Sequence, residues 1–352
     1  MRRTFTNLAL LAAGGAVGAH LIKRVVERRR HFEMPGRVAI VTGGSRGLGL
    51  VLARRLVEQG ARVAICARTE ADLDAAREEL TAMGGDVLAV RCDVRDQHDV
   101  ERMVDQVRDH FGDIDLLFNV AGVIQVGPLE EMTKDEFELA MQTNCWGTLH
   151  TVLAVLPTMR RSGWGRIVNI ASLGGKRAVP HMLPYSASKF AVVGLSNGLR
   201  TELLEHGIYV TTACPSLMRT GSPRNAIFKG QHRKEYAWFS IGDSLPLVSM
   251  SAESAAEQIL DACQNGRGEV IIRGVANLGV ALQSALPGVT RAALGVVAGL
   301  LPEPGGVGSR PVRGYQSESG WSPSWLTQLT QAAARRNNEL RPRPIDMGPS
   351  GG

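Results

Sequence analysis

The sequence predicts an α/β fold in which a doubly wound, mostly parallel sheet carries helices on both faces. Three observations predict it. From Arg37 to Phe118, short apolar runs alternate with amphipathic stretches at helical spacing, and parallel strands need such crossover helices. A glycine-rich turn, Thr42-Gly43-Gly44-Ser45-Arg46-Gly47-Leu48-Gly49, joins the first run to the first helical stretch. The chain has 352 residues, 40 glycines and 5% aromatics. That composition suits one large α/β domain with chain left over, rather than a β-sandwich or a disordered chain.

The elements follow in order. Arg37–Val41 reads as the first strand, and Leu50–Gln59 as a helix stopped by Gly60. Arg62–Cys66 is a second strand, and Glu70–Met83 a charged amphipathic helix ended by Gly84-Gly85. Val87–Arg91, Gln97–Phe111 and Ile114–Phe118 continue the alternation as strand, helix and strand. Lys134–Met159 and Pro184–Glu205 read as long helices; Arg166–Ile170, Tyr209–Cys214 and Glu269–Ile272 read as later strands. Beyond Arg273 the rhythm ends. Val275–Leu301 is apolar and rich in small residues, and Pro302–Ser319 reads as a linker. Ser324–Leu340 reads as one more helix, with Trp325, Leu329 and Ala332 or Ala333 on a face, and Arg341–Gly352 as disordered. The expected division is an N-terminal segment 1–33, a domain 34–273 and an extension 274–352.

The glycine turn explains what the domain holds. Gly43, Gly47 and Gly49 between a strand and a helix allow a tight turn and a close backbone approach to a pyrophosphate. The helix N-terminus beyond them offers free N–H groups and the positive end of its dipole. This makes the expected fold Rossmann-type. The second strand ends Cys66-Ala67-Arg68, without the carboxylate that commonly holds the ribose hydroxyls of NAD. Arg68 and Arg46, the latter inside the turn, suit a 2′-phosphate instead, so the expected cofactor is NADP(H).

Tyr185 and Lys189 are four apart in a helical stretch and share a face. Ser172 follows the strand Arg166–Ile170, and Asn144 lies in the preceding long helix. Carbonyl reduction by hydride leaves an alkoxide that needs a proton. A phenol can give it, but a free tyrosine has a pKa of about 10, so the phenolate costs about 4 kcal/mol at pH 7. A neighbouring ammonium lowers that cost, and the Ser172 hydroxyl can hold the substrate oxygen.

These residues resemble the short-chain dehydrogenase/reductase family over about residues 36–273. Thr42-Gly43-x-x-x-Gly47-x-Gly49 is similar to its cofactor turn, Asp93-Val94 to its adenine-contacting pair, and Asn119-Val120-Ala121-Gly122 to its Asn-Asn-Ala-Gly element. Asn144, Ser172, Tyr185 and Lys189 match its catalytic tetrad. Pro215 to Thr220 resembles the Pro-Gly segment whose threonine contacts the nicotinamide carboxamide. The resemblance implies that Lys189 also binds the nicotinamide ribose and that Asn144 supports a water-linked proton path. It further implies a homo-oligomer, dimer or tetramer, formed through the two long helices. Val120 and Ser216 depart from the family pattern, and the segments before and after the domain have no counterpart in its minimal core.

The formal charge of +6 is concentrated at the N-terminus. Residues 1–33 hold seven basic residues against Glu27 and Glu33, a net of +5, which leaves +1 for the rest. No nucleic-acid surface is expected. The apolar run Leu8–Ile22 spans 15 residues, short of the ~20 a spanning helix needs. With its flanking basic residues it reads as an anchor to a membrane surface, the domain lying in the cytoplasm. The alternative is a twin-arginine export signal at Arg2-Arg3, cut after Ala19. The five cysteines, Cys66, Cys92, Cys145, Cys214 and Cys263, lack metal or disulfide spacing, so plain thiols and no metal are expected.

Gly221–Met250 contains Phe228, Tyr236, Trp238 and Phe239, which reads either as an apolar lid over a small apolar carbonyl or alcohol substrate or as a loop packing on its own domain. His181 and Met182, just ahead of Tyr185, are candidates to line the pocket; a core or surface histidine is the simpler reading of His181. Two other classes remain at this level: a non-catalytic NADP(H)-binding sensor or scaffold, and a membrane-tethered interaction protein working through its C-terminal extension.

Overall fold

In a computed structural model, which describes residues 25–245, 249–272, 283 and 286–347, the sheet is built around β1 (Val38–Thr42). Every residue of β1 is buried. Val38 and Ile40 face one hydrophobic cluster, and Ala39 and Val41 the other. That alternation is what a strand covered on both faces requires.

The further strands are β2 (Arg62–Ala67), β3 (Val87–Arg91), β4 (Leu116–Asn119), β5 (Gly165–Ile170), β6 (Ile208–Pro215) and β7 (Glu269–Ile272). They run in the order β7-β6-β5-β4-β1-β2-β3, and every pairing is parallel. The order reverses between β1 and β4, and the crevice beyond their C-terminal ends is where such sheets bind ligands.

On one face lie α1 (Gly47–Glu58), α2 (Glu70–Ala82) and, after the later helices, α8 (Ala252–Gln264), packed through Leu50, Leu56, Leu73, Leu80, Ile259 and Leu260. On the other lie α3 (Gln97–Phe111), α5 (Gly147–Ser162) and α6 (Leu183–Leu203), through Val100, Val104, Val152, Leu156 and Leu203. Asp96 caps α3 by accepting from the N–H groups of His98 and Asp99. A Thr133–Glu136 capping box starts α4 (Lys134–Ala140). The sequence predicts one helix from Lys134 to Met159. Instead α4 passes through a π-helical turn, Met141–Trp146, before α5 begins.

The flanking segments differ more from expectation. Residues 1–33 were expected to stand apart from the domain. The apolar run and Lys23 lie outside the described residues, but the end of this segment packs on the domain. Phe32 is buried edge-on to Trp164 at 5.2 Å. Arg166 donates to the Arg30 carbonyl at 2.7 Å, and Glu27 accepts from Arg267 at 2.8 Å. A basic run cannot announce such partners, because they come from β5 and from the turn after α8. No helix among the described residues is long and apolar enough to cross a membrane.

Pro302–Ser319 is no free linker. Within it Val312–Arg313 pairs antiparallel with Ile227–Phe228, which in turn pairs with Gln125–Val126. A helix α9 (Pro287–Ala298) precedes it; most of Val275–Leu286 lies outside the described residues. The last helix, α10 (Gln328–Arg336), is shorter than predicted and follows a single 3-10 turn. It buries Thr330, Ala333 and Ala334, while Trp325 and Leu329 are exposed. After it the chain turns at Asn337–Asn338, and residues 339–347 run across the domain rather than trailing away, held by side chains described below. All five cysteines are free and buried.

Candidate active site

The glycine turn is shaped by close approaches. Gly43 takes φ +65°, the left-handed region open to glycine. A Cβ on Gly49 would stand 2.2 Å from the Gly43 carbonyl oxygen, so α1 can start this close to β1 only with glycine there. Thr42 sits behind the turn. Its Oγ1 accepts from the N–H groups of Val120 and Ala121 at 3.0 and 3.1 Å, tying the end of β1 to the end of β4. Asn119 plays a similar part: it donates to Asn169 at 2.9 Å and accepts from Thr151 at 2.6 Å. These two stand behind the cleft wall. Ser45, Arg46, Gly47, Leu48 and Gly49 line the cleft, and so do Arg68, Asp93, Val94, Ala121, Gly122, Pro215 and Thr220. The cleft measures about 430 Å³, within the usual range of ligand sites.

The residues present fit a dinucleotide. No side chain caps the N-terminus of α1; the Gly47 N–H bonds the Asn337 carbonyl at 2.9 Å, and Leu48 and Gly49 line the cleft. One terminal nitrogen of Arg46, Nη1, is buried without a hydrogen-bond partner among the described residues, its nearest carboxylate oxygen, on Glu339, lying 3.6 Å away. Asp93 is held below the usual carboxylate range, against its burial, by hydrogen bonds from Arg95. It makes a bidentate pair with that residue.

Ser172, Tyr185 and Lys189 line the same cleft at the other side of the switch point. Ser172 ends the loop after β5, its Oγ accepting from Gly174 N–H at 3.0 Å. Burial pushes the Tyr185 phenol up to about 12, although the nearby Ser172 side chain favours its ionised form. Lys189, one turn along α6, is buried, and its Nζ donates to the Ile170 carbonyl at 2.7 Å. Burial lowers the ammonium to about 8. Asn144 lies on the π-helical turn, a distortion frequent at functional sites. Its amide accepts from Val123 N–H at 2.9 Å and donates to Val123 O and Ser188 Oγ. Asn144 thus ties the loop after β4 to Ser188, the neighbour of Lys189 on α6.

The aromatic stretch after Thr220 forms a small buried core beside Tyr185, and Phe228, Tyr236, Trp238 and Phe239 do not line the cleft. Phe228, Tyr236 and Phe239 cluster with Val126, Met182 and Ala226, and the Tyr185 ring packs against them. Tyr236 and Phe239 belong to α7 (His232–Ser244). His181 is neither plain core nor plain surface. Its Nδ1 meets the buried carboxylate of Glu235 at 2.8 Å, and Trp238 donates to the same carboxylate at 2.6 Å.

Sequence reasoning missed the residues that complete the other end of the cleft. Arg313, Glu339, Arg343, Pro344 and Asp346, all from the C-terminal extension, line it beside the glycine turn. The alternating Arg-Pro run at 341–344 was the available signal, but nothing local says that Arg343 meets Asp72, 2.6 Å away.

A glycine-turn cleft at the switch point, with a phenol, a hydroxyl and an ammonium converging on one side, defines a nicotinamide-nucleotide oxidoreductase of the dinucleotide-binding class. The comparisons agree. The family model for short chain dehydrogenases matches residues 37–227. A putative ketoacyl reductase of Streptomyces coelicolor is 41% identical over 185 residues, 52% of this chain and 71% of that protein. The crystal structure of an actinorhodin polyketide ketoreductase variant with NADPH is 33% identical, with TM-score 0.61 over 68% of this chain and 97% of that one. A short chain dehydrogenase/reductase from Burkholderia phymatum, in complex with NAD, is 27% identical, with TM-score 0.67 over 72% and 95%. The chain belongs to the short-chain dehydrogenase/reductase family, and it is an enzyme acting on a carbonyl/alcohol pair.

Proposed function

We propose that the protein uses NADP(H) to reduce a ketone carried on an apolar, acyl-like chain. One observation carries the reading: Ser172 and Tyr185 line the same cleft, while the Tyr185 ring packs against the apolar cluster of Phe228, Tyr236 and Phe239. A carbonyl oxygen between the two hydroxyls would have an apolar wall beside it. Two further observations support the finer points. Arg46 and Arg68 line the cleft where the second strand ends without a carboxylate, and the relatives include ketoacyl and polyketide ketoreductases.

The nucleotide supplies the hydride. Ser172 Oγ orients the substrate oxygen, and Tyr185 Oη gives it a proton as charge develops. Lys189 Nζ lies 5.8 Å from the centre of the Tyr185 ring, close enough for its charge to favour the phenolate left behind. Asn144 keeps the Val123 backbone and Ser188 in place beside these groups.

The test is NADPH oxidation with β-ketoacyl thioesters of several chain lengths beside other apolar ketones. Turnover rising with chain length supports the reading, and no turnover of any acyl ketone overturns it. Trp146, Leu153 and Phe190, on and beside the two long helices, are exposed and support a homo-oligomer. The apolar, basic leader supports attachment to a membrane surface, to be tested by fractionating the full chain against one lacking residues 1–24.

A further inference from the structure

The C-terminal extension makes the outer wall of the cofactor cleft. Asn337 offers its carbonyl to Gly47 N–H at 2.9 Å, and Asn338 donates to the Ser45 carbonyl at 3.0 Å. Both contacts fall on the glycine turn itself. Arg54 holds Asn337 at 2.9 Å, and Arg343 is bound by Asp72 at 2.6 Å and Asn225 at 2.8 Å. Asp346 pairs with Arg68 at 3.0 Å and also with Arg95. With this strap as part of its lining the cleft measures about 430 Å³.

Arg313 differs from the other guanidiniums here. It sits at the end of Val312–Arg313, is only 9% exposed and reaches the cleft. Nη1 donates to the Asn225 carbonyl at 2.6 Å and Nη2 to the Pro344 carbonyl at 2.7 Å. Its Nε has no hydrogen-bond partner among the described residues. Arg68 and Arg343 each have a carboxylate, and Glu339 is 3.6 Å from Arg46, but no described carboxylate pairs with Arg313. Burial and the nearby charges of Arg46 and Arg68 pull its pKa down to about 10. A buried guanidinium among like charges, short of one counter-charge, is costly unless an anion completes the set.

We infer that Arg313 is a phosphate ligand of the nucleotide cofactor, supplied to the family's cleft by this chain's own C-terminal extension. The inference rests on the dinucleotide reading of the cleft and deepens it. The phosphate is either the 2′-phosphate, shared with Arg46 and Arg68, or the diphosphate at the glycine turn.

The experiment is titration calorimetry of the full chain with NADPH and with NADH, for the wild type, Arg313→Gln and Arg313→Lys, with a melting curve for each. Arg313→Gln is expected to weaken NADPH at least tenfold, about 1.4 kcal/mol. Arg313→Lys keeps the charge but not the two carbonyl bonds, and is expected to recover most of the affinity lost in Arg313→Gln. A loss confined to NADPH assigns the 2′-phosphate, and equal losses for both nucleotides assign the diphosphate; each supports the inference. Unchanged binding in Arg313→Gln, or a loss that Arg313→Lys does not recover, overturns it. If the wild type itself holds NADH as tightly as NADPH, the NADP(H) preference fails. Arg313 is then judged on the diphosphate alone.

Discussion

Lys189 donates its Nζ to the Ile170 carbonyl at 2.7 Å while lying 5.8 Å from the centre of the Tyr185 ring. The ammonium is therefore fixed by β5, one turn of helix away from the phenol it assists. Its pKa is lowered to about 8 by burial, and that of the phenol is raised to about 12 by burial. Below about 8 the lysine is charged and favours the phenolate formed as the proton leaves. Above it that help is lost, while the phenol still keeps its proton. The expected kcat/KM for carbonyl reduction therefore falls as pH rises through about 8. The limb should vanish from the profile of Lys189→Ala. A wild-type profile flat from pH 7 to 10 contradicts it.

Tyr185→Phe removes only the phenol oxygen. General acid catalysis is worth about 10²–10⁴-fold, so kcat is expected to drop at least a hundredfold. The nucleotide Kd should change by less than threefold. Retention of more than about a tenth of the rate would mean that another group gives the proton.

Arg46 and Arg68 are expected to carry the preference for NADPH. Charge-assisted contacts are worth about 1.5–3 kcal/mol each. The Arg46→Ala, Arg68→Ala double variant should lose a hundredfold or more in kcat/KM with NADPH and little with NADH. Equal wild-type efficiency with the two nucleotides removes the basis of the reading.

Lys229 and Glu136 form a buried ion pair at 2.7 Å, each side chain 2% exposed, that fastens the strand Ile227–Phe228 and its aromatic cluster to α4. Lys229→Met leaves the Glu136 carboxylate with only its Thr133 bonds. Urea unfolding should show a loss of about 3–5 kcal/mol. The Glu136→Leu, Lys229→Met double variant should cost less than the single one, since no charge is then left buried alone. A single variant as stable as the wild type contradicts the assignment.

Much of the central sheet is legible in the sequence because its strands are covered on both faces. Val38–Thr42 and Arg62–Ala67 are nearly unbroken apolar runs, and the glycines between strand and helix have no other economical use. Tyr185 and Lys189 are legible because helical spacing brings them together. The π-helical turn at Asn144 is not, since its register depends on what Asn144 reaches, Val123 and Ser188, rather than on its own neighbours. Nor is the outer wall of the cleft. Arg343 and Asp72 are 271 positions apart, and a charged, proline-rich stretch reads as solvent-exposed until a partner for its charge is known.

That distance has a consequence for how the molecule is made. Ser45 leaves the ribosome 293 positions before Asn338, the residue whose amide closes over it. Parallel strands and crossover helices can assemble while the chain is still growing. The nucleotide pocket acquires its outer side only when nearly the whole described chain has been translated. A nascent chain arrested before Gln328 would therefore be folded over most of its sheet and yet hold its cofactor poorly. Capture of the nucleotide then waits on translation past Asp346 rather than on completion of the sheet.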